Sequence, residues 1–466
     1  MRNRFNINFG KISAKDTRSS RLANRFSRFK LGLLYKLMIL FILSAALAWG
    51  INLQVHEGFI YAQSRGFNGD FFAAMFVPYW WDVFYWWDGS GVLYGPIFVF
   101  ERKFVEYLPG IFTIRLFAFT NIVLCLFSFI AVLAATNILN YTNSIANSIK
   151  LGFSNLFSKY LIIGICLALW LCSSTLSYSF SVAANPEFVM LLSLTISWYF
   201  AKKGNLPVAY VLILIAALTK VIPVIFFAIY ILHRSKNALK SAVSLLALVL
   251  ITTSLIQKMS ILETVIAVFI PSQNTSRGKF NLASAYNPHP ESFEFLGVNS
   301  AISRICGPYC EILPQRIQMM SYIVIGLIIL LSVIVFFRAS KYSDSFPREV
   351  DLAFQYSLLF ALLPIISPSS HLNYYLFLLP SFIGILSIIL RDIVEERKKR
   401  GGVVLLILLS IYVVQSVSVI VVKIGKLQGS DLSTNLFLLD KSWSNLILIL
   451  LILVYRNSWT KSVSKI

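Results

Sequence analysis

Residues 211–225 read Val211-Leu-Ile-Leu-Ile-Ala-Ala-Leu-Thr-Lys220-Val-Ile-Pro223-Val-Ile225. Before Lys220 the run is apolar on every face of a helix, so no side of it suits water. Such a segment belongs inside a bundle or in lipid. Pro223 removes a backbone donor and stops a helix that would otherwise continue. The pattern predicts a hairpin, with apolar arms at 206–219 and 222–232 and a lysine at its tip. An ionisable group at membrane depth costs a few kcal/mol, which makes it a functional candidate by default. A lysine there suits an anionic lipid headgroup. The alternative reading is a side chain snorkelling from a span end.

The rest of the chain repeats the pattern. Of 466 residues, 57% are hydrophobic and 13% charged, against roughly 45–50% and about 25% in soluble domains. The mean hydropathy is +0.74. These values exclude a disordered chain, a collagen-like chain and a small disulfide scaffold. Apolar runs of the length that crosses a bilayer, about 20 residues, are placed at 31–51, 111–136, 160–180, 187–201, 206–219, 222–232, 240–257, 319–337, 352–367, 372–390, 403–423 and 439–455. The expected fold is an all-α polytopic membrane protein of about 12 transmembrane helices, with a range of about 10–13.

There are 41 Lys+Arg against 20 Asp+Glu, a net charge of +21. A basic balance of this size can indicate nucleic acid. Its distribution favours membrane orientation instead. With twelve spans and the N-terminus inside, the inner segments are 1–36, 137–159, 202–205, 233–240, 338–351, 391–402 and 456–466. They hold 28 of the 41 basic residues, as expected for cytoplasmic loops. Residues 1–30 read as a basic cytoplasmic tail, 31–455 as the transmembrane domain and 456–466 as a second cytoplasmic tail. The expected location is a plasma (inner) membrane, with no nucleic-acid partner.

Two outer loops are long, at about 52–110 and 258–318, and loops of this length usually carry function. The first contains Phe76-Val-Pro-Tyr-Trp80-Trp81-Asp82-Val-Phe-Tyr-Trp-Trp-Asp88, whose aromatics suit a short interfacial helix on the outer leaflet. Cys306 and Cys310 flank a Gly-Pro-Tyr turn in the second loop. An extracytoplasmic position would permit a disulfide there. Cys125, Cys166 and Cys172 lie in apolar runs and read as core residues.

Asp70, in Phe67-Asn-Gly-Asp70-Phe71, is placed to act as a general base at the outer mouth of a bundle. The alternative is a solvated aspartate in an Asn-Gly turn. Three cations are candidates for the same side: Lys220, Arg304 in Leu296-Gly-Val-Asn299-Ser-Ala-Ile-Ser-Arg304, and His371 in Pro364-Ile-Ile-Ser-Pro-Ser-Ser-His371-Leu-Asn-Tyr374-Tyr375. Taken alone, His371 also reads as an interfacial residue bonded to backbone. No G-x-x-x-x-G-K-[ST], D-x-D, H-E-x-x-H or G-x-S-x-G occurs. P-loop ATP hydrolysis, metal-assisted nucleotide-sugar chemistry and a serine hydrolase therefore lose their usual residues.

Several stretches together resemble the integral-membrane GT-C glycosyltransferases, most closely glycosyltransferase family 87. They are Gly69-Asp70-Phe71, Leu93-Tyr94-Gly95-Pro96-Ile97-Phe98, Ala216-Ala217-Leu218-Thr219-Lys220 with Pro223, Asn299-Ser300 with Arg304, and Ser367-Pro368 with His371 and Tyr374-Tyr375. Their order is kept from about residue 60 to 385. The resemblance implies a GT-C-like bundle that moves a sugar, a hexose such as mannose, from a polyprenyl-phosphate donor. The acceptor would be a hydroxyl of a lipid- or glycan-linked molecule at the extracytoplasmic face. It implies Asp70 as the base, and no cofactor beyond the donor. Phosphate contacts would fall to Lys220, Arg304 and His371, in place of a metal. Tyr94, Asn299, Tyr374, Trp80 and Trp81 would shape the acceptor or substrate site. Membrane lipids, the lipid-linked sugar and the acceptor are the expected partners. A single base and direct attack imply inversion at the anomeric carbon. The competing readings are an O-antigen-type polymerase or ligase, which takes a diphosphate donor, and a secondary transporter or lipid flippase.

Overall fold

The computed structural model describes residues 37–55, 110–141, 155–181, 187–220, 222–229, 235–257, 260–262, 264–265, 298, 314–340, 348–366, 372–394, 398–428 and 441–463. All secondary structure among them is helical. We number the helices α1 (Leu37–Val55), α2 (Gly110–Thr136), α3 (Asn155–Leu171), α4 (Ser174–Ser181), α5 (Glu187–Lys202), α6 (Leu206–Thr219), α7 (Lys236–Gln257), α8 (Pro314–Ser340), α9 (Arg348–Ile366), α10 (Leu378–Val394), α11 (Lys398–Gln428) and α12 (Lys441–Val463). Short 3₁₀ segments occupy Ile138–Tyr141, Ile222–Phe227 and Leu372–Phe377. Among the described residues, five helical stretches are long and apolar enough to cross a membrane: Leu37–Val55, Phe119–Thr136, Lys236–Leu255, Arg348–Ile366 and Tyr374–Ile393.

Helix positions follow the apolar runs, with instructive departures. The run at 160–180 is two helices, broken at Cys172–Ser173. A break in apolar surroundings leaves backbone carbonyls to be satisfied. Gln54, buried at the end of α1, donates its Nε2 to Leu171 O at 2.6 Å and to Ser173 O at 3.2 Å. The Cys172 thiol donates to Ala46 O at 3.1 Å. Close approach of α1 depends on Gly50, where a Cβ would meet Leu171 Cβ at 2.9 Å. The second hairpin arm, expected at 222–232, is 3₁₀ over Ile222–Phe227. The last helix runs to Val463, beyond the span end placed at 455.

The core lies between α5, α9 and α10. Helix α5 packs on α2, α6 and α9; α9 packs on α10 and α12; α10 packs on α11. Trp198 of α5 stacks on Tyr356 of α9 at 5.3 Å between centroids, with planes 4° apart. The Ser197 and Tyr356 hydroxyls are hydrogen-bonded at 2.8 Å, so an aromatic with a polar tip is accommodated in the interior. Between α9 and α10 the backbones come close at Gly384, with Ser357 and Trp198 against it.

One end of the bundle is tied by polar contacts. Helix α5 stops at Gly204, whose φ of +84° suits glycine, and Asn205 and Pro207 then start α6. Lys202 donates to Ala134 O at 2.6 Å and to Asn137 Oδ1. Asn137 donates to Glu349 Oε1 at 2.8 Å, and Arg348 donates to Ala201 O at 3.1 Å. Nearby, Arg456 pairs with Asp351 at 2.5 Å and lies over the Phe336 ring, 3.5 Å from its centroid. The Tyr455 hydroxyl donates to Asp392 Oδ2 at 2.5 Å. These residues border or fall in the segments read as inner: 137–159, 202–205, 338–351, 391–402 and 456–466.

Candidate functional site

Helices α5 and α6 run antiparallel around the Lys203–Asn205 turn, so the start of α5 and the end of α6 meet at the opposite end of the bundle. At 1.5 Å per residue, α5 is about 24 Å long and α6 about 21 Å. The hydrocarbon core of a bilayer is about 30 Å thick. Both helices are therefore shorter than that core.

Lys220 stands at the end of α6. Its backbone turns to an extended conformation (φ −145°, ψ 143°), while its N–H still donates to Ala216 O. Leaving the helix at this residue frees the side chain from the α6 register. Its Nζ is 2.7 Å from Glu187 Oε1 and 4.8 Å from the centroid of the Tyr374 ring, a cation–π distance. The Glu187 side chain is fully buried, and that of Lys220 is 13% exposed. Tyr374 is buried as well. Around them, Phe180 stacks on Phe188 at 4.9 Å, and Leu372–Phe377 packs against α4.

The sequence elements here perform separate tasks. Pro223 ends the α6 path and commits the chain to a 3₁₀ turn, which leaves Lys220 at a corner. Glu187 is the first residue of α5, where a carboxylate also faces the positive end of the helix dipole. Together they hold one ammonium between a carboxylate and an aromatic face. Such a group can bind an anion and place it against a hydroxyl-bearing ring.

Of the residues expected to form a site, Lys220 and Tyr374 are brought together across 154 positions of sequence. Asp70, Trp80, Trp81, Tyr94, Asn299, Arg304 and His371 lie outside the described residues, as do Cys306 and Cys310. Glu187 was not among the expected site residues. Its signal was faint: a lone acid opening the apolar run 187–201, which reads equally as a helix-start residue. No group of three or more His, Cys, Asp or Glu able to hold a metal occurs among the described residues. Comparison with protein-family models, curated proteins and solved structures finds no match.

Proposed function

We propose that this chain is a polytopic membrane glycosyltransferase of GT-C type, with about twelve transmembrane segments. It transfers a hexose such as mannose from a polyprenyl-phosphate donor to a hydroxyl of a lipid- or glycan-linked acceptor. The reaction takes place at the extracytoplasmic end of the bundle. The observation that carries the reading is the Lys220 ammonium at the end of α6, set 4.8 Å from the Tyr374 ring centre. A polyprenyl phosphate keeps its tail in lipid and its charge near the interface, where a cation at a helix end can meet it.

The chemistry needs little else. The acceptor hydroxyl gives its proton to the Asp70 carboxylate and its oxygen attacks C1 of the sugar. The C1–O bond to phosphate breaks, and the polyprenyl phosphate leaves with the electron pair. Cations that pair with the growing phosphate charge lower the barrier. Lys220, Arg304 and His371 serve that role, and a leaving phosphate needs no general acid. Attack opposite the leaving group inverts the anomeric centre.

The test is transfer by the purified, reconstituted protein, using radiolabelled polyprenyl-phosphate mannose and a membrane lipid extract as acceptor. Wild type is expected to label the extract. Asp70→Asn is expected to lose transfer by at least about 10²-fold, the scale of general-base removal, while eluting as the same monodisperse species. Lys220→Ala is expected to raise the donor KM. Full turnover in Asp70→Asn removes the base. Transfer from a diphosphate donor alone favours the polymerase or ligase reading, and transport without transfer favours a carrier.

A further inference from the structure

We propose that Glu187 is a positioning residue, whose carboxylate aims the Lys220 ammonium at the phosphate of a polyprenyl lipid. The inference rests on the reading above in one respect: it takes Lys220 as the phosphate contact.

A lysine has a flexible four-carbon stem and a compact charge that water solvates strongly. Left to itself at a helix end, it samples many rotamers and offers an incoming anion no fixed direction. Here two neighbouring groups help to define where the charge sits. Glu187 Oε1 holds Nζ from one side at 2.7 Å, and the Tyr374 ring lies beneath it at 4.8 Å. The three residues come from three elements: the first turn of α5, the corner after α6, and the 3₁₀ segment Leu372–Phe377. All three elements pack into the core, so the arrangement is formed before any ligand arrives. Freedom lost on folding is not lost again on binding, and this is how preorganisation raises affinity.

Burial argues in the same direction. Glu187 is fully buried, whereas Lys220 keeps some exposure. A carboxylate is seldom buried unless paired. A glutamate needed only to start α5 would sit as well in water. The buried carboxylate stands behind the lysine, and the lysine is the member of the pair that reaches the surface. A group that acts on a ligand only through another residue has a thermodynamic signature: its effect disappears when that residue is removed.

The experiment is a double-mutant cycle on binding of a long-chain polyprenyl monophosphate to the full-length protein in nanodiscs, measured as Kd. Lys220→Gln is expected to weaken binding about tenfold or more, and Glu187→Gln about tenfold, within the coupling seen between contacting residues. The double variant is expected to bind no more weakly than Lys220→Gln alone. Wild-type affinity in Glu187→Gln overturns the proposal. So does tighter binding, which would make Glu187 a competing counter-ion, and so do fully additive losses, which would make its role structural. Should Glu187→Gln fail to give a monodisperse protein, Glu187→Asp replaces it in the cycle under the same criteria. Sugar transfer is scored separately. The expected cycle without any transfer sinks the transferase reading and leaves Glu187 in place; transfer with no coupling does the reverse.

Discussion

Glu187 and Lys220 lie 33 positions apart, and nothing in either local sequence points to the other. Lys220 was legible because a charge in an apolar run has a cost that demands a reason. Glu187 was not, because an acid at a helix start already has one. Pairings between distant residues are decided by which helices touch, and periodicity does not encode that. The same holds for Arg456, read as part of a cytoplasmic tail and found 2% exposed inside α12, against an Asp351 that is 22% exposed. Its guanidinium lies on the Phe336 ring, and Gln355 donates to the other Asp351 oxygen at 2.6 Å. Removing one partner of a largely buried pair leaves the other charge poorly compensated, a loss of up to about 3–5 kcal/mol. Asp351→Leu should therefore lower the thermal midpoint in detergent markedly. Asp351→Leu combined with Arg456→Met should recover most of the loss, since apolar replacements of similar size are tolerated where a pair was buried. A double variant no more stable than the single one would show that the pair is not the source.

At the scale of elements, apolar run length placed most helices well and was silent on where backbone geometry changes inside a run. Residues 160–180 and 372–390 each read as one span. The first is broken at Cys172–Ser173, and the second begins with six residues of 3₁₀ helix. Hydropathy is blind to both, because the break at Ser173 is satisfied by a glutamine more than a hundred residues away. Helix contacts were equally hidden, and glycines show where they matter. At Gly384 of α10, an added Cβ would lie 2.2 Å from Ser357 Oγ and 2.8 Å from Trp198 Cη2. Both neighbours belong to the central packing of α5 and α9. At Gly326 of α8, an added Cβ meets nothing within 4 Å. The same substitution should therefore act in opposite directions. Gly384→Ala is expected to cost about 1–3 kcal/mol by overpacking, whereas Gly326→Ala should be neutral or stabilise by up to about 1 kcal/mol through helix propensity. Thermal unfolding of the two variants side by side measures the difference. Equal midpoints would mean that α9 and α10 are not held at this separation.

For the whole molecule, the arrangement of charge makes a claim about sidedness. Lys202, Arg348, Glu349, Asp351, Asp392 and Arg456 gather at one end of the bundle through the contacts of α2, α5, α9, α10 and α12. Lys220, Glu187 and Tyr374 occupy the other, a helix length of about 22 Å away. The basic loops predicted to be cytoplasmic adjoin the first end, so the lysine site faces outward if cationic loops stay inside. Two single cysteines decide it in a background with the five native cysteines replaced by alanine. One is Lys203→Cys, exposed in the turn between α5 and α6; the other is Ser276→Cys, in the loop expected to be external. A membrane-impermeant maleimide applied to intact cells should label Ser276→Cys and should reach Lys203→Cys only after permeabilisation. The reverse pattern would turn Lys220 to the cytoplasm. A lipid-linked sugar presented at the outer leaflet could not then reach it, and the extracytoplasmic reaction would have no site. Sidedness is therefore the property on which the residue-scale chemistry depends, and it is measurable before any substrate is known.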